Sequence, residues 1–442
     1  MIRSVFIANR GEIAVRIIRT CKEMGIRTVV ACSEADRTSL AVRMADEAVC
    51  VGPPPASESY LNQSNLIAAA VLKGCDAVHP GFGFLSERAD FARRVREEGL
   101  VFIGPSPEVI HLLGDKVQAK ETARKYGVPV IPGSDGAVED VAQARALVRE
   151  MGFPVIVKAA AGGGGKGMRI VWKEEDLERT LRIASQEAEK AFSDGTLYIE
   201  KFLQNPRHVE VQLLGDAHGN VVHLGERDCS VQKNHQKLVE ESPSPVVTPE
   251  MREAMGEAAV RLFKGIGYVG AGTVEFLVAD GRFYFMEVNA RIQVEHPVTE
   301  MITGVDIVRE QIRAAGGEAL SITQDEVRLD GYALECRINA LSPGKVTAFH
   351  APAGFKTRID SYLYTGAEVP PFYDSLVAKV IVGATTREEG IARMLRALDE
   401  LVVEGITVNT DLQKRIVSHP IFRSGRFGTD VLEKILEEGG QE

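Results

Sequence analysis

No apolar run in the 442 residues approaches the ~20 needed to span a bilayer as a helix, and the N-terminal run Val5 to Ala8 is cut short by Arg10 and Glu12. This argues for a cytoplasmic chain with no membrane partner. A basic excess is missing too: 52 Lys and Arg against 62 Asp and Glu leave a formal net charge of -10. Such a chain has no field that gathers polyphosphate backbones, so nucleic acid is not an expected partner. Net charge does not forbid an anionic nucleotide, which local Lys, Arg and backbone N–H clusters can bind. Closely spaced cysteines are also lacking. Cys21, Cys32, Cys50, Cys75, Cys229 and Cys336 are scattered without metal-ligand spacing, and buried reduced thiols are expected. No G-x-G-x-x-G follows the first strand pattern, which removes the main support for a dinucleotide site. Internal repeats and low-complexity tracts are absent.

What is there is the balance of a folded protein, 45% hydrophobic and 26% charged, in a chain long enough for two to four domains. Short β-branched runs alternate with amphipathic helical patterns through the first hundred residues. Strands are predicted at 4–8, 28–31, 47–51, 77–79 and 100–103, with helices near 11–24, 65–73 and 90–97. That rhythm implies a parallel sheet with helical crossovers. Beyond Pro132-Gly133 come strands at 154–158 and 168–171. From Leu197 to Asn289 strands dominate, with one helix near 250–266 and hairpin signals at 215–220 and at Asp280-Gly281. A third region from Gly331 opens on alternating Tyr332, Leu334 and Cys336 and ends rich in helices.

Between Lys158 and Met168 four consecutive glycines followed by Lys166 invite a phosphate-loop reading, but Ala160 and Gly167 occupy the positions that need Gly and Ser/Thr. The segment joins two strands, so a flap over phosphates, with Lys158 reaching oxygen atoms, fits better than a P-loop; a merely mobile turn is the alternative. Glu275, Glu287 and Asn289 flank the Asp280-Gly281 turn. A loop of Ala279 to Gly281 with Gly281 left-handed would put all three on one face, a natural set for Mg²⁺ with ATP phosphates; a two-residue loop would separate the glutamates. The run Arg291-Ile-Gln293-Val294-Glu295-His296 could hold a small oxyanion and deprotonate it, with Glu295 as base, or be simply a polar loop. His208, Glu210 and Gln212 alternate on one strand face, and Gln232, Lys233, His235 and Lys237 follow in a polar stretch; a solvated face would explain each cluster alone.

Together Ala8-Asn-Arg-Gly-Glu-Ile-Ala14, His79-Pro-Gly-Phe-Gly-Phe-Leu-Ser-Glu87, the Lys158 flap, Arg291 to Glu300, Gly331 to Ala340 and Pro370-Pro-Phe-Tyr-Asp-Ser375 resemble biotin carboxylase over nearly the whole chain. The resemblance implies an α/β and α+β ATP-grasp fold. It implies an N-terminal Rossmann-like domain (1–114), an ATP-grasp domain (115–330) with a mobile lid (131–203), and a C-terminal domain (331–442). ATP would be held by Lys116, Lys158, Gly164, Gly165, Glu200, Leu203, His208, Gln232, His235 and Leu277, and Mg²⁺ or Mn²⁺ by Glu275, Glu287 and Asn289. Bicarbonate would sit on Arg291, Gln293 and the Val294 backbone, deprotonated by Glu295, with Lys237 beside the carboxyphosphate formed. Arg337, with Phe82 and Gly83 near, would stabilise the biotin enolate, a task suited to an always-charged side chain. No Ala-Met-Lys-Met occurs, so biotin is expected on a separate carrier protein, with a carboxyltransferase as further partner. A homodimer through Arg19, Glu23, Phe355 and Arg358 is implied, as in acetyl-CoA carboxylase or a related carboxylase. The sequence departs from the family pattern at Phe82, at Ala290 and after Ala340, where only Leu341 stands in place of a longer segment close to Arg337. Another ATP-grasp ligase, or a nucleotide-binding subunit impaired by that short loop, would be the competing readings.

Overall fold

A computed structural model describes residues 2–134, 136–138, 140–159, 168–192, 195–234 and 236–438. They form two compact units, one of residues 1–128, 207–278 and 286–442, the other of 129–206 and 279–285.

The first unit opens with β1 (Ser4–Ile7), β2 (Arg27–Ser33), β3 (Glu47–Gly52), β4 (Ala77–His79) and β5 (Val101–Phe102), all paired in parallel in the order β3-β2-β1-β4-β5. All four residues of β1 are buried, as expected of a parallel strand covered on both faces. The helix Gly11–Glu23 buries Ile13, Ile17 and Cys21, the predicted stripe. Beyond the carboxyl ends of β1 and β4 two sequence motifs meet: Asn9 Nδ2 donates to the carbonyls of Pro80 (2.7 Å) and Phe82 (2.8 Å). Gly81, at φ +63°, lies against this amide, where an added Cβ would come within 2.8 Å of Asn9 Nδ2. Five cysteines are buried as expected; Cys50, on the edge strand β3, is exposed instead.

In the second unit β6 (Val155–Ala159) pairs antiparallel with both β7 (Met168–Val171) and β8 (Leu197–Lys201). The helices Val141–Met151 and Glu174–Phe192 supply Ala144, Val148, Leu177 and Leu181 to a core shared with Val155, Val157 and Ile199. Neither helix is evident from the strand-centred reading of this region, although Asp140 caps the first through Gln143 N (2.7 Å).

The remaining strands are β9 (Arg207–Gly215), β10 (Val221–Lys233), β11 (Gln236–Ser242), β12 (Gly270–Ala279), β13 (Arg282–Asn289), β14 (Tyr332–Asn339), β15 (Gly344–Lys345), β16 (Ala348–His350), β17 (Thr357–Ser361), β18 (Glu368–Val369), β19 (Leu376–Ala384) and β20 (Val402–Glu404). Eight of them form one sheet in the order β13-β12-β9-β10-β11-β14-β19-β17, while β15 pairs with β18 and β16 with β20. Because β14 pairs with β11, placing Val239 opposite Cys336, the sheet continues without a break across residue 331. The helix Pro249–Gly265 packs on the sheet so closely that a Cβ on Gly256 would lie 2.5 Å from His223 Nε2. Among the described residues no helix is long and apolar enough to cross a membrane.

Candidate active site

All nine residues of β9 are buried, so the polar trio His208, Glu210 and Gln212 does not face solvent. In the pairing of β9 with β12, Leu277 lies opposite His208, Glu275 opposite Glu210 and Thr273 opposite Gln212, which fixes which polar groups can meet. His208 Nε2 lies 2.7 Å from Glu275 Oε2. Burying carboxylates without partners is prohibitive, and the partners come from β10 and β11. The fully buried Arg227 donates through Nε to Glu210 (2.6 Å) and through Nη1 to Gln212 (2.7 Å) and Thr299 (3.0 Å). Lys237 Nζ is shared by Glu210 (2.6 Å), Glu275 (3.0 Å) and Glu295 (2.6 Å). Burial opposes the charge on Lys237, yet Cys229 and these three acids hold its pKa well above the ordinary lysine value. Burial alone would raise the Glu275 pKa; Lys237 and His208 bring it below the usual carboxylate range.

The β12–β13 turn corrects one expectation. The strands end at Ala279 and resume at Arg282, and both Asp280 (φ +50°) and Gly281 (φ +70°) are left-handed, the signature of a two-residue turn. Strict alternation from that turn would put Glu275 and Asn289 on opposite faces. Asn289 Nδ2 nevertheless donates to Glu275 Oε1 (2.8 Å), so alternation does not persist as far as Asn289. Because β13 is the sheet's edge strand, both Met286 and Glu287 line the same cavity as Glu275 and Asn289. Asn289 and Glu275 thus meet by a different route from the one expected, while Glu287 lines the same cavity. Glu287 is half-exposed and lies 3.5 Å from Lys116 Nζ.

The loop that follows is tied at each residue. Glu87, the last residue of the His79 motif, accepts from Ala290 N (3.0 Å) and Arg291 Nε (2.8 Å). Arg291 also donates to Gln293 Oε1 and Asn289 Oδ1 (both 2.9 Å), and Gln293 Nε2 donates to Glu275 Oε1 (3.0 Å). His296 Nδ1 meets Gln293 O at 2.8 Å, and burial keeps this imidazole neutral by driving its pKa far down. Lys379, wholly buried, donates to the Val294 carbonyl (2.7 Å). Glu295 is itself fully buried. Burial would raise its pKa, but Lys237, Arg337 and Arg227 together hold it well below the ordinary value, so the carboxylate stays charged. Arg337, on β14, bridges Glu240 (Nε to Oε1, 2.6 Å) and Glu295 (Nη2 to Oε2, 2.9 Å).

The short segment after Ala340 leaves Arg337 anchored. Ala340 N bonds Ser375 O and Leu341 N bonds Thr407 O (both 2.7 Å), and the Arg337 carbonyl accepts from Gln413 (2.7 Å) and Asn409 (3.1 Å).

A cavity of about 1040 Å³ in the first unit brings together Phe82, Gly83, Lys116, His208, Gln232, Lys237, Glu275, Leu277, Glu287, Asn289, Arg291, Gln293, Val294 and Arg337. Glu295 lies just behind them, held by Lys237 and Arg337. In the second unit Lys158 and Glu200 form an ion pair, and Leu203 is half-buried just past β8. Gly164, Gly165 and His235 lie outside the described residues. Two carboxylates and an amide are hard oxygen donors, and the Lys237 ammonium and two amide N–H groups already gather on Glu275; the set fits a hard divalent cation. Around a separate surface hollow of about 360 Å³ lie Arg19, Glu23 and Arg358, and Phe355 is 78% exposed.

Sequence reasoning missed Glu87, Arg227, Glu240 and Lys379. The signal available was the charged run Glu226-Arg227-Asp228 inside an apolar strand pattern, since charge in the middle of a buried strand implies paired charge.

Three family models match in succession: biotin carboxylase, N-terminal domain, over residues 1–110; carbamoyl-phosphate synthase L chain, ATP binding domain, over 115–323; and biotin carboxylase C-terminal domain over 335–434. The chain is 54% identical to the biotin carboxylase of Pseudomonas aeruginosa, covering 99% of both chains. It is 52% identical to biotin carboxylase 1 of Bacillus subtilis, covering 98% of both. Similar solved structures include the biotin carboxylase subunit of pyruvate carboxylase (TM-score 0.93, 49% identity, 99% of each chain). Another is the biotin carboxylase domain dimer of Hydrogenobacter thermophilus 2-oxoglutarate carboxylase, in complex with MgADP, ADP and bicarbonate (TM-score 0.85, 48% identity, 98% of each chain).

Proposed function

We propose that this chain, which belongs to the biotin carboxylase family, carboxylates biotin with ATP and bicarbonate in the cavity that ends at Glu295. The observation that carries the reading is a buried carboxylate kept ionised between Lys237 and Arg337, at the end of a loop of aligned donors. A base needs this: charged, shielded from water and next to an anion-binding turn.

Arg291 and Gln293, with the Val294 backbone, receive bicarbonate, and Glu295 takes its proton. The carbonate so formed attacks the γ-phosphorus of ATP, the bond to the β,γ-bridging oxygen breaks and ADP leaves, giving carboxyphosphate, and Lys237 offsets charge that develops beside it. Carboxyphosphate breaks down to CO₂ and phosphate, the phosphate takes the N1′ proton of biotin, and Arg337 steadies the ureido oxygen as nitrogen captures CO₂. Phe82 and Gly83 border the same space. Glu275, Glu287 and Asn289 would hold Mg²⁺ or Mn²⁺, which neutralises nucleotide phosphate charge. We assign Lys116, His208, Gln232 and Leu277 to the nucleotide, as well as Lys158, Glu200, Leu203, Gly164, Gly165 and His235 by family resemblance.

The division into 1–114, 115–330 with a lid at 131–203, and 331–442 belongs to the same reading. So do a separate biotin carrier protein, a carboxyltransferase partner and a homodimer through Arg19, Glu23, Phe355 and Arg358. Support for the dimer comes from the solved Hydrogenobacter domain, which is a dimer. Purified protein is expected to release ADP only when bicarbonate is present, faster with free biotin, and Glu295→Ala to abolish this release. ADP release indifferent to bicarbonate overturns the reading.

A further inference from the structure

Arg337 is divided between two buried acids with different fates. Glu295 loses its charge when it takes the bicarbonate proton. Glu240, on β11, touches Arg337 through Oε1 alone, and its Oε2 has no hydrogen-bond partner among the described residues. Lys237 keeps two other carboxylates, Glu210 and Glu275, when Glu295 is neutralised. Among the described residues the Arg337 guanidinium then keeps only Glu240. Its Nε is then still anchored, while Nη2, whose acceptor has become a neutral carboxyl, is released.

We propose that Glu240 is a positioning residue that holds Arg337 through this exchange, so that proton transfer to Glu295 frees Nη2 for the ureido oxygen of biotin. Bicarbonate activation and biotin carboxylation are thereby ordered: the arginine becomes available to biotin only after the first proton has moved. The step balances as one proton passed from bicarbonate to the Glu295 carboxylate and one hydrogen bond transferred from Glu295 Oε2 to the biotin oxygen. The inference rests on the biotin carboxylase reading above.

Glu240 is faced by Arg337, Glu335 and Cys336 from β14, Lys237 from its own strand, Cys229 from β10 and Glu295 from the loop. Burial raises its pKa; Arg337 opposes this and Glu295 adds to it, leaving a value of about 7. The anchor is therefore charged above neutral pH and is lost as pH falls. A carboxyl raised in the folded state stabilises the fold at low pH, and that contribution disappears as pH rises through about 7. The melting temperature of Glu240→Gln at pH 8, read beside its biotin-free, bicarbonate-dependent rate, separates misfolding from loss of the anchor.

The test compares ADP release with and without free biotin in the natural chain, in Glu240→Gln and in Glu240→Asp. In Glu240→Gln the ratio of the biotin-stimulated to the biotin-free, bicarbonate-dependent rate falls roughly 10- to 100-fold, the weight of a charged hydrogen bond. Its KM for biotin rises more than its KM for bicarbonate, and Glu240→Asp recovers part of the stimulation. The acid limb of the biotin-stimulated rate near pH 7 is absent from Glu240→Gln. Natural biotin stimulation in Glu240→Gln, or a parallel fall of both rates with the ratio intact, overturns the proposal. Bicarbonate-independent ADP release by the natural chain instead overturns the family reading beneath it.

Discussion

At the scale of residues, the floor of the cavity is a lattice of alternating charge. Glu210, Glu275 and Glu295 are interleaved with Arg227 and Lys237, and Arg337 links Glu295 to Glu240. Such a lattice contributes little net stability over an apolar core, yet removing one member leaves its neighbour buried and uncompensated. Arg227→Met is therefore expected to cost about 3–5 kcal/mol, because among the described residues Glu210 then keeps only Lys237 as a cation, and to lower the melting temperature in a thermal scan. A melting temperature equal to that of the natural chain would show that Glu210 is satisfied without Arg227. Much of this scale was legible in the sequence. The sequence motifs point to Lys237, Glu275, Arg291, Gln293, Glu295 and Arg337; five of them line one cavity, and Glu295 is bound to Lys237 and Arg337 of that lining. They do not point to Arg227, Glu240 and Lys379. Arg227 meets Glu210 across the neighbouring β9–β10 pair, whereas Glu240 and Lys379 meet Arg337 and Val294 only through elements distant in sequence, which no local pattern reveals.

At the scale of elements, strands and crossover helices of the parallel sheet announced themselves by period. The helices Val141–Met151 and Glu174–Phe192 carry the same period, in Ala144 and Val148 and in Leu177, Leu181, Ala184 and Ala188, but a reading centred on strands passes over them. The hairpin shows where periodicity misleads. The turn type was the one expected to separate the glutamates, yet loss of strict alternation along an edge strand lets Asn289 reach Glu275 while Glu287 lines the same cavity. Packing of the helix Pro249–Gly265 depends on the missing side chain at Gly256, where His223 occupies the space a Cβ would need. Gly256→Ala is expected to destabilise by about 1–3 kcal/mol through overpacking, since His223 is itself buried and cannot swing to solvent. Urea denaturation checks this; an unchanged midpoint would mean that the helix shifts freely over the sheet.

At the scale of the whole molecule, the proposed dimer face carries charges that already pair within one chain: Arg358 with Glu300 and Asp360, and Arg16 with Glu300 and Asp306. Arg358→Glu would set three acids together at the hollow and is expected to shift the protein to monomer in analytical ultracentrifugation. An unchanged dimer would place the interface elsewhere. The central claim, that the cavity turns bicarbonate into a nucleophile on ATP, has an atom-level signature. With ¹⁸O-labelled bicarbonate in unlabelled water, attack by carbonate leaves one bicarbonate oxygen on the phosphate when carboxyphosphate breaks its C–O bond. Phosphate carrying one ¹⁸O per turnover is the predicted result; phosphate with no label, as water attack on ATP would give, contradicts it.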